Sequence, residues 1–229
     1  MTVGQASFGA MQIALGLALL ALAWVAGGPA WALAWPASSV FVVGVAYLGP
    51  GAGVFGKRRS DGRLAAWNVA LLFPYFAVAW TIWQLKSRFF SRRAWDEVAP
   101  GVRLGRRPLH RGELPPDTRC VVDLCSEMPR ALPDVPVERY VCLPTLDTSV
   151  APDPELAALV ESLAEEDGPL YLHCAMGHGR SATVAAALLI RRGLAADVDQ
   201  AVRALEQARP GVHLHAVQRA AVERLALSS

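Results

Sequence analysis

Apolar positions are unevenly spread along the 229 residues. Phe8 to Val25 forms one continuous apolar run and Trp31 to Leu48 a second, with Gly27-Gly28-Pro29 between them. Each run is about 18 residues long, near the lower limit for a helix that crosses a bilayer. The short link predicts a tight helical hairpin. Trp24, Trp31 and Trp35 cluster near that link, where they would mark one membrane interface. A third apolar segment runs from Leu64 to Leu85 and contains Asn68 and Pro74.

After about residue 94 the pattern becomes that of a folded polar domain. Val102-Arg103-Leu104-Gly105 reads as a short strand, Arg119 to Cys125 as a buried strand and Arg139 to Leu143 as another. Asp153-Pro154 reads as an N-cap with proline at the first helical position. Leu156, Leu159, Val160 and Leu163 then give the stripe of an amphipathic helix. Leu170 to Cys174 is a short apolar strand, and Ser181 to Ile190 reads as a buried helix. Two more helices, Ala196 to Arg209 and Leu214 to Leu227, are divided by Pro210-Gly211. Strands alternating with helices predict an α/β fold, a mostly parallel sheet flanked by helices. The expected division is an all-α transmembrane region over 1–93, with helices near 8–25, 31–48 and 64–85, and an α/β domain over 94–229.

Charge sharpens this division. No Asp, Glu, Lys or Arg occurs from Met1 to Gly56 or from Leu64 to Leu85, and every acidic residue except Asp61 follows Lys86. Hydrophobic residues make up 53% of the chain, too many for an ordinary soluble domain. The third apolar segment has basic residues on both sides: Lys57, Arg58, Arg59 and Arg63 before it, Lys86, Arg88, Arg92 and Arg93 after it. A spanning segment would put these flanks on opposite faces, against the tendency of basic flanks to stay inside. A segment that is re-entrant or lies along the interface, broken at Pro74, would keep both inside. Three membrane helices are expected, with the interfacial arrangement as the alternative. In either case the polar domain starts at a basic membrane edge suited to anionic lipids. No basic run with interleaved aromatics is present, so nucleic acid is not an expected partner.

The candidate chemistry lies in His173-Cys174-Ala175-Met176-Gly177-His178-Gly179-Arg180-Ser181. A loop between a strand end and a helix start gathers backbone N–H groups at the positive end of the helix dipole. Gly177 and Gly179 can take positive φ and let successive amides turn inward as an anion nest. Arg180 adds a planar fork for two phosphate oxygens. The same field should stabilise the Cys174 thiolate, lowering its pKa into the roughly 3.5–7.5 range. A nucleophile at the base of a phosphate cradle suits phosphoryl transfer through a cysteinyl phosphate. A P-loop nucleotidase is excluded because no Gly-Lys-Ser/Thr closes the loop. The remaining cysteines, Cys120, Cys125 and Cys142, form neither a zinc pattern nor a disulfide framework, and a thiolate enzyme implies a reducing compartment. No cofactor or metal is expected.

The His-Cys-x5-Arg-Ser loop resembles the signature of the protein tyrosine phosphatase superfamily, and its small size and surroundings resemble the dual-specificity branch. The resemblance covers about Val102 to Leu225 and omits the apolar N-terminal part. It implies a phosphoric monoester hydrolase in which Cys174 is the nucleophile, while the amides of residues 175–179, Ala175 to Gly179, together with Arg180, bind phosphate. The leaving group needs a proton, and Asp147, in the loop between a strand and a capped helix, takes the topological place of the family's general acid. The resemblance further implies that His173 orients the loop and supports the thiolate. It also implies that Ser181 helps the sulfur leave, and His178 is expected at the loop mouth. Asp123-Leu124-Cys125-Ser126-Glu127 resembles a stretch of phosphoinositide phosphatases whose cysteine can pair with the nucleophile on oxidation, which makes Cys125 a redox candidate.

The substrate classes left open are a phosphotyrosine or phosphoserine/threonine protein, placed first, and a lipid phosphate such as phosphatidylglycerophosphate or a phosphoinositide. Ala175, Met176 and His178 stand where inositide-specific members tend to have lysines, which disfavours a multiply phosphorylated headgroup. A phosphate-binding pseudophosphatase would be expected to lack the cysteine, the arginine or the acid, and all three are present. The expected location is a bacterial cytoplasmic membrane, with the catalytic domain on the cytosolic face. Nothing in the sequence sets the oligomeric state.

Overall fold

A computed structural model describes residues 3–49, 51–89 and 93–228. Arg92, counted above in the basic cluster after the third apolar segment, lies outside the described residues. The chain begins with helix α1 (Val3–Ala26), a 3-10 turn (Gly28–Leu33) and helix α2 (Ala34–Leu48). Gly27 and Gly28 take φ of 62° and 51°, the left-handed values that let the chain reverse so tightly. The two helices pack backbone to backbone through small residues. A Cβ at Gly9 would stand 2.9 Å from the Gly44 oxygen, and one at Gly16 would stand 2.9 Å from that of Ala37.

Helix α3 (Ala66–Phe89) contains Pro74, which has no N–H for the carbonyl of Ala70. The indole Nε1 of Trp35, from α2, donates to that carbonyl at 3.0 Å, and Trp35 stacks on Phe73. α1, α2 taken with its preceding 3-10 turn (Gly28–Leu48), and α3 are long and apolar enough to cross a membrane, and they fit a transmembrane region. Met11, Leu15 and Leu22 of α1 and Val78, Ile82 and Leu85 of α3 are exposed. The opposite side of α3 faces protein, where Leu72, Phe76 and Trp83 are buried.

The second half is a five-stranded sheet of order β1-β2-β5-β3-β4. β1 (Trp95–Ala99) and β2 (Val102–Arg106) form an antiparallel hairpin, while β2, β5 (Leu170–Cys174), β3 (Cys120–Cys125) and β4 (Arg139–Thr145) run parallel. Helices α4 (Asp153–Ala164), α5 (Arg180–Arg191), α6 (Val198–Ala208) and α7 (Ala216–Ser228) complete it. β5 is central and every residue of it is buried. Leu172, Leu104 and Val122 join Leu156 and Leu163 of α4 and Leu188 of α5 in one core. Because the strands are parallel, Cys125, Thr145 and Cys174 end at the same edge of the sheet, where such folds place their sites.

Two local features differ from the sequence reading. β1 was not predicted, because Trp-Asp-Glu-Val-Ala has no clean alternation and is a strand only by pairing with β2. Asp153 is the first residue of α4 rather than its N-cap. Pro152 holds the cap position, and the Asp153 carboxylate binds Arg224 of α7 at 2.7 and 2.8 Å.

The two halves are joined by more than the chain. Between α2 and α3, Lys57 and Leu64 form an antiparallel bridge, and Arg130 donates to the Gly62 carbonyl at 2.8 Å. A Cβ at Gly62 would stand 2.1 Å from the Tyr140 hydroxyl. The 57–64 loop therefore rests on the edge of the polar domain.

Candidate active site

Cys174 ends β5, and α5 starts six residues later at Arg180. The sulfur accepts from the Gly177 amide and the Ser181 hydroxyl, both at 3.3 Å. Burial alone would push this thiol up. The Arg180 charge and the hydrogen bonds from Ser181 outweigh burial and hold it below the ordinary thiol value.

The loop is shaped from outside. The Ala175 carbonyl accepts from the indole Nε1 of Trp83 (2.9 Å) and the amide of Arg107 (3.2 Å). Arg209 donates to the carbonyls of Met176 and Gly177, each at 3.1 Å, and is itself anchored by Asp96 at 2.7 Å. In a trans peptide the N–H points away from the preceding carbonyl. Holding these three carbonyls outward turns the amides of Met176, Gly177 and His178 the other way, and that of Gly177 reaches the sulfur. Gly177 has φ of +77°, and a Cβ there would come within 2.3 Å of the Gly105 backbone, so no other residue fits.

The arginine is pre-set in the same way. Arg180 is buried, and its two terminal nitrogens bind the two Glu127 oxygens at 2.8 Å each. It also donates to the Thr145 carbonyl at 3.0 Å and lies 3.3 Å from Asp147 Oδ1. Burial opposes its charge, but Glu127 and Asp147 more than compensate, so it stays cationic. Its Nε is buried without a partner among the described residues. A bound oxyanion would satisfy this costly orphan donor.

Asp147 stands in a tight turn after β4, in which Thr148 takes φ of 57°. The turn is held by Gln218 of α7 on the Ser149 carbonyl (2.9 Å) and by Gln5 of α1 on that of Thr148 (3.3 Å). The Asp147 carboxylate itself is largely exposed.

The comparisons with known proteins agree with this geometry. Residues 119–225 match the family model described as a Swiss Army Knife protein, DSP-PTPase phosphatase domain. Residues 119–225 thus carry a dual-specificity phosphatase domain of the protein tyrosine phosphatase superfamily. No match is found among curated proteins. Among solved structures, that of PTPMT1 superposes with a TM-score of 0.51 at 23% identity, covering 58% of this chain and 94% of that one. PTPMT1 in complex with PI(5)P gives 0.51 at 22%, covering 59% and 96%. Tk-PTP in its active form gives 0.50 at 25%, covering 61% and 100%. The catalytic fold therefore accounts for most of each of these chains, and the N-terminal helices lie outside the likeness.

Within the phosphatase domain the structure brings Cys174, Gly177, Arg180, Ser181 and Asp147 together. The His173 ring is coupled to the Cys174 backbone and not to its sulfur. Side chains alternate along a strand, so His173 points to the other face from Cys174. There it lies beside Asp123 in register and against Tyr171. Burial lowers its pKa to about 4 against the pull of Asp123, so the ring is neutral. His178 packs near Gly211, whose Cβ would stand 3.4 Å from its ring, and its carbonyl accepts from His213. Cys125 is a buried free thiol, pushed well up by burial and by the Asp123 and Glu127 carboxylates.

Glu127, Arg209 and Lys57 carry weight that sequence reasoning did not assign. Glu127 stands in the very stretch that singled out Cys125. Lys57 is one of only two lysines in an arginine-rich chain, a faint signal. Arg209, one of 20 arginines (22 Lys+Arg less two lysines), offers none. Asp123, Cys125 and His173 offer ligand atoms within 4.8 Å of one another, as a cation site would. The Lys57 ammonium lies against Asp123 at 2.8 Å and supplies the positive charge there.

Proposed function

We infer that this protein is a membrane-bound phosphomonoesterase acting on a lipid phosphate. The supporting observation is a cavity of about 1170 Å³ that runs from the catalytic mouth into the apolar helices. Glu127, Asp147 and Met176 line its polar end, and Phe8, Val40 and Val78 line its apolar length. Lys86 is among the lining residues and suits an anionic headgroup. A phosphoprotein loop has no use for an apolar cavity reaching between the N-terminal helices. An acyl chain already in the bilayer enters one at no cost in exposed apolar surface. The cavity thus favours the second of the two substrate classes left open by the sequence.

The reaction has two steps. Cys174 thiolate attacks phosphorus in line, and the P–O bond to the lipid alcohol breaks as Asp147 gives that oxygen its proton. The amides of Met176, Gly177 and His178, with Arg180, hold the equatorial oxygens where charge develops. Water then attacks the cysteinyl phosphate, giving its proton to Asp147. The S–P bond breaks, and the Ser181 hydroxyl, 3.3 Å from sulfur, stabilises the departing thiolate.

Membrane seating follows from the contacts of α3. Trp80 Nε1 donates to the Glu127 carbonyl at 2.8 Å and Trp83 Nε1 to that of Ala175. α3 is thereby held to the catalytic mouth along one side, with its exposed stripe available to lipid. This supports α1 and α2 as the crossing hairpin and α3 as an interfacial helix, and the reducing conditions a cysteine thiolate needs favour the cytosolic face for the phosphatase domain.

The full-length protein in mixed micelles should hydrolyse phosphatidylglycerophosphate or phosphatidic acid with kcat/KM about 100-fold above a phosphotyrosine peptide, a gap of roughly 2.7 kcal/mol. Cys174→Ser should abolish both. Ala79→Trp, which narrows the cavity, should lower lipid turnover at least tenfold more than p-nitrophenyl phosphate turnover. Equal activity on peptide and lipid, with equal effects of Ala79→Trp, would overturn the lipid assignment.

A further inference from the structure

We propose that Lys57, delivered from the loop between two membrane-region helices, is a positioning residue for the phosphate-binding arginine. Its side chain and that of Asp123 are both fully inaccessible. The ammonium donates to Asp123 Oδ2 at 2.8 Å and to the Cys125 carbonyl at 2.7 Å. Tyr140 donates to the same Oδ2 at 2.8 Å, and Asp123 Oδ1 accepts the Cys125 amide at 3.0 Å. The ammonium and the carboxylate thus grip both polar groups of the Cys125 backbone, at a point where the β3–β4 register shifts.

The next two residues carry the effect into the site. Ser126 donates from its amide and its hydroxyl to Glu127 Oε2, each at 3.0 Å. Glu127 in turn holds both terminal nitrogens of Arg180. Lys57, the Cys125–Ser126 peptide, Glu127 and Arg180 form a continuous route of charge-assisted contacts joined through that one peptide bond, every member of it buried. Bonds of this kind are short and directional, so the last member is set by the first. The membrane region is then part of the catalytic architecture and not only an anchor. The inference rests on Arg180 binding phosphate, and it does not use the identity of the lipid.

The test uses the full chain in detergent, with p-nitrophenyl phosphate as substrate and orthovanadate as the phosphate mimic. Lys57→Met leaves Asp123 buried without its counter-ion and should lower Tm on the order of 10 °C. It should also lower kcat/KM by about tenfold or more. The double variant Lys57→Met/Asp123→Asn removes both charges and should recover most of the lost Tm. The Cys125 carbonyl still lacks its charged donor, so orthovanadate inhibition and kcat/KM should stay about tenfold weaker than in the natural protein. A double variant that regains stability, activity and vanadate affinity together would reduce Lys57 to a structural counter-ion and overturn the proposal. Wild-type kcat/KM in Lys57→Met would do the same. Loss of the lipid preference alone, with these results intact, would count against the substrate reading and leave this one standing.

Discussion

Two buried side chains on the underside of the catalytic strand should govern how the protein responds to acid. His173 has a folded pKa of about 4 because burial disfavours its charged form and Lys57 and Arg107 repel the proton. In the unfolded chain it titrates near 6.5, so between pH 6.5 and about 4 only the unfolded state takes up the proton. Stability therefore falls as pH drops through this window, by roughly 3 kcal/mol in all. Asp123 adds to the effect lower down. Lys57 and His173 hold its carboxyl at about 2 despite burial, so its contribution is present above the ordinary value of 3.8 and is lost as pH falls towards 2. Tm should drop by roughly 5–10 °C between pH 7 and pH 4.5. His173→Asn should flatten that segment of the curve, and an unchanged slope would show that another group sets it. At this scale the sequence was informative where function is local. Cys174, Arg180 and Ser181 lie within eight residues and announce themselves. Glu127, Arg209 and Lys57 reach the same site from 47, 35 and 117 residues away from Cys174, and no spacing rule joins them before the chain is folded.

At the scale of elements, α3 decides more than its hydropathy discloses. Leu72, Phe76 and Trp83 lie on a buried face, and Val78, Ile82 and Leu85 lie on an exposed one. Both faces are apolar, so a hydropathy window cannot tell a spanning helix from one lying between lipid and protein. α1 and α2 were readable because nothing charged interrupts them. β5, its loop and α5 were readable because apolar strand, glycines and small-residue helix follow one another without a break. β1 depended on a partner strand and was missed. The position of α3 has a catalytic consequence. Trp83 holds the first of the three outward carbonyls of the phosphate loop, and its ring also carries the Arg107 guanidinium at 5.1 Å. Trp83→Phe keeps much of the ring packing and removes the N–H donor, a loss of about 1 kcal/mol. If that bond aims the Met176 amide, kcat/KM on p-nitrophenyl phosphate should fall three- to tenfold. Tm should change by no more than about 4 °C. A fall in Tm with unchanged kcat/KM would make the contact one of packing alone.

At the scale of the whole molecule, the contacts constrain how the chain can sit in a bilayer. Gln5, at the start of α1, reaches Thr148 in the acid loop, and Lys57, after α2, is buried against Asp123. Both ends of the α1–α2 hairpin therefore meet the phosphatase domain. α3 starts beside the Lys57 loop, where Asn68 donates to the Val54 carbonyl, and passes the phosphate loop at Trp83. A spanning α3 would separate residue 57 from the domain that follows by about 30 Å of hydrocarbon, whereas the proposed interfacial α3 keeps the 2.8 Å ion pair with Asp123 on one side. The chain should cross twice, with the Gly27-Gly28-Pro29 turn on the far side. All four native cysteines are buried, so introduced ones can be read with a membrane-impermeant maleimide. Ser60→Cys and Leu227→Cys should label from the same side of sealed vesicles, and Ala26→Cys from the other. Labelling of positions 60 and 227 from opposite sides would mean that α3 spans. The Lys57–Asp123 pair could not then form in the membrane, and the route from Lys57 to Arg180 would fail with it. Agreement would place the catalytic mouth at the level of the headgroups, where a lipid phosphate arrives by lateral diffusion and its chain never leaves the apolar phase.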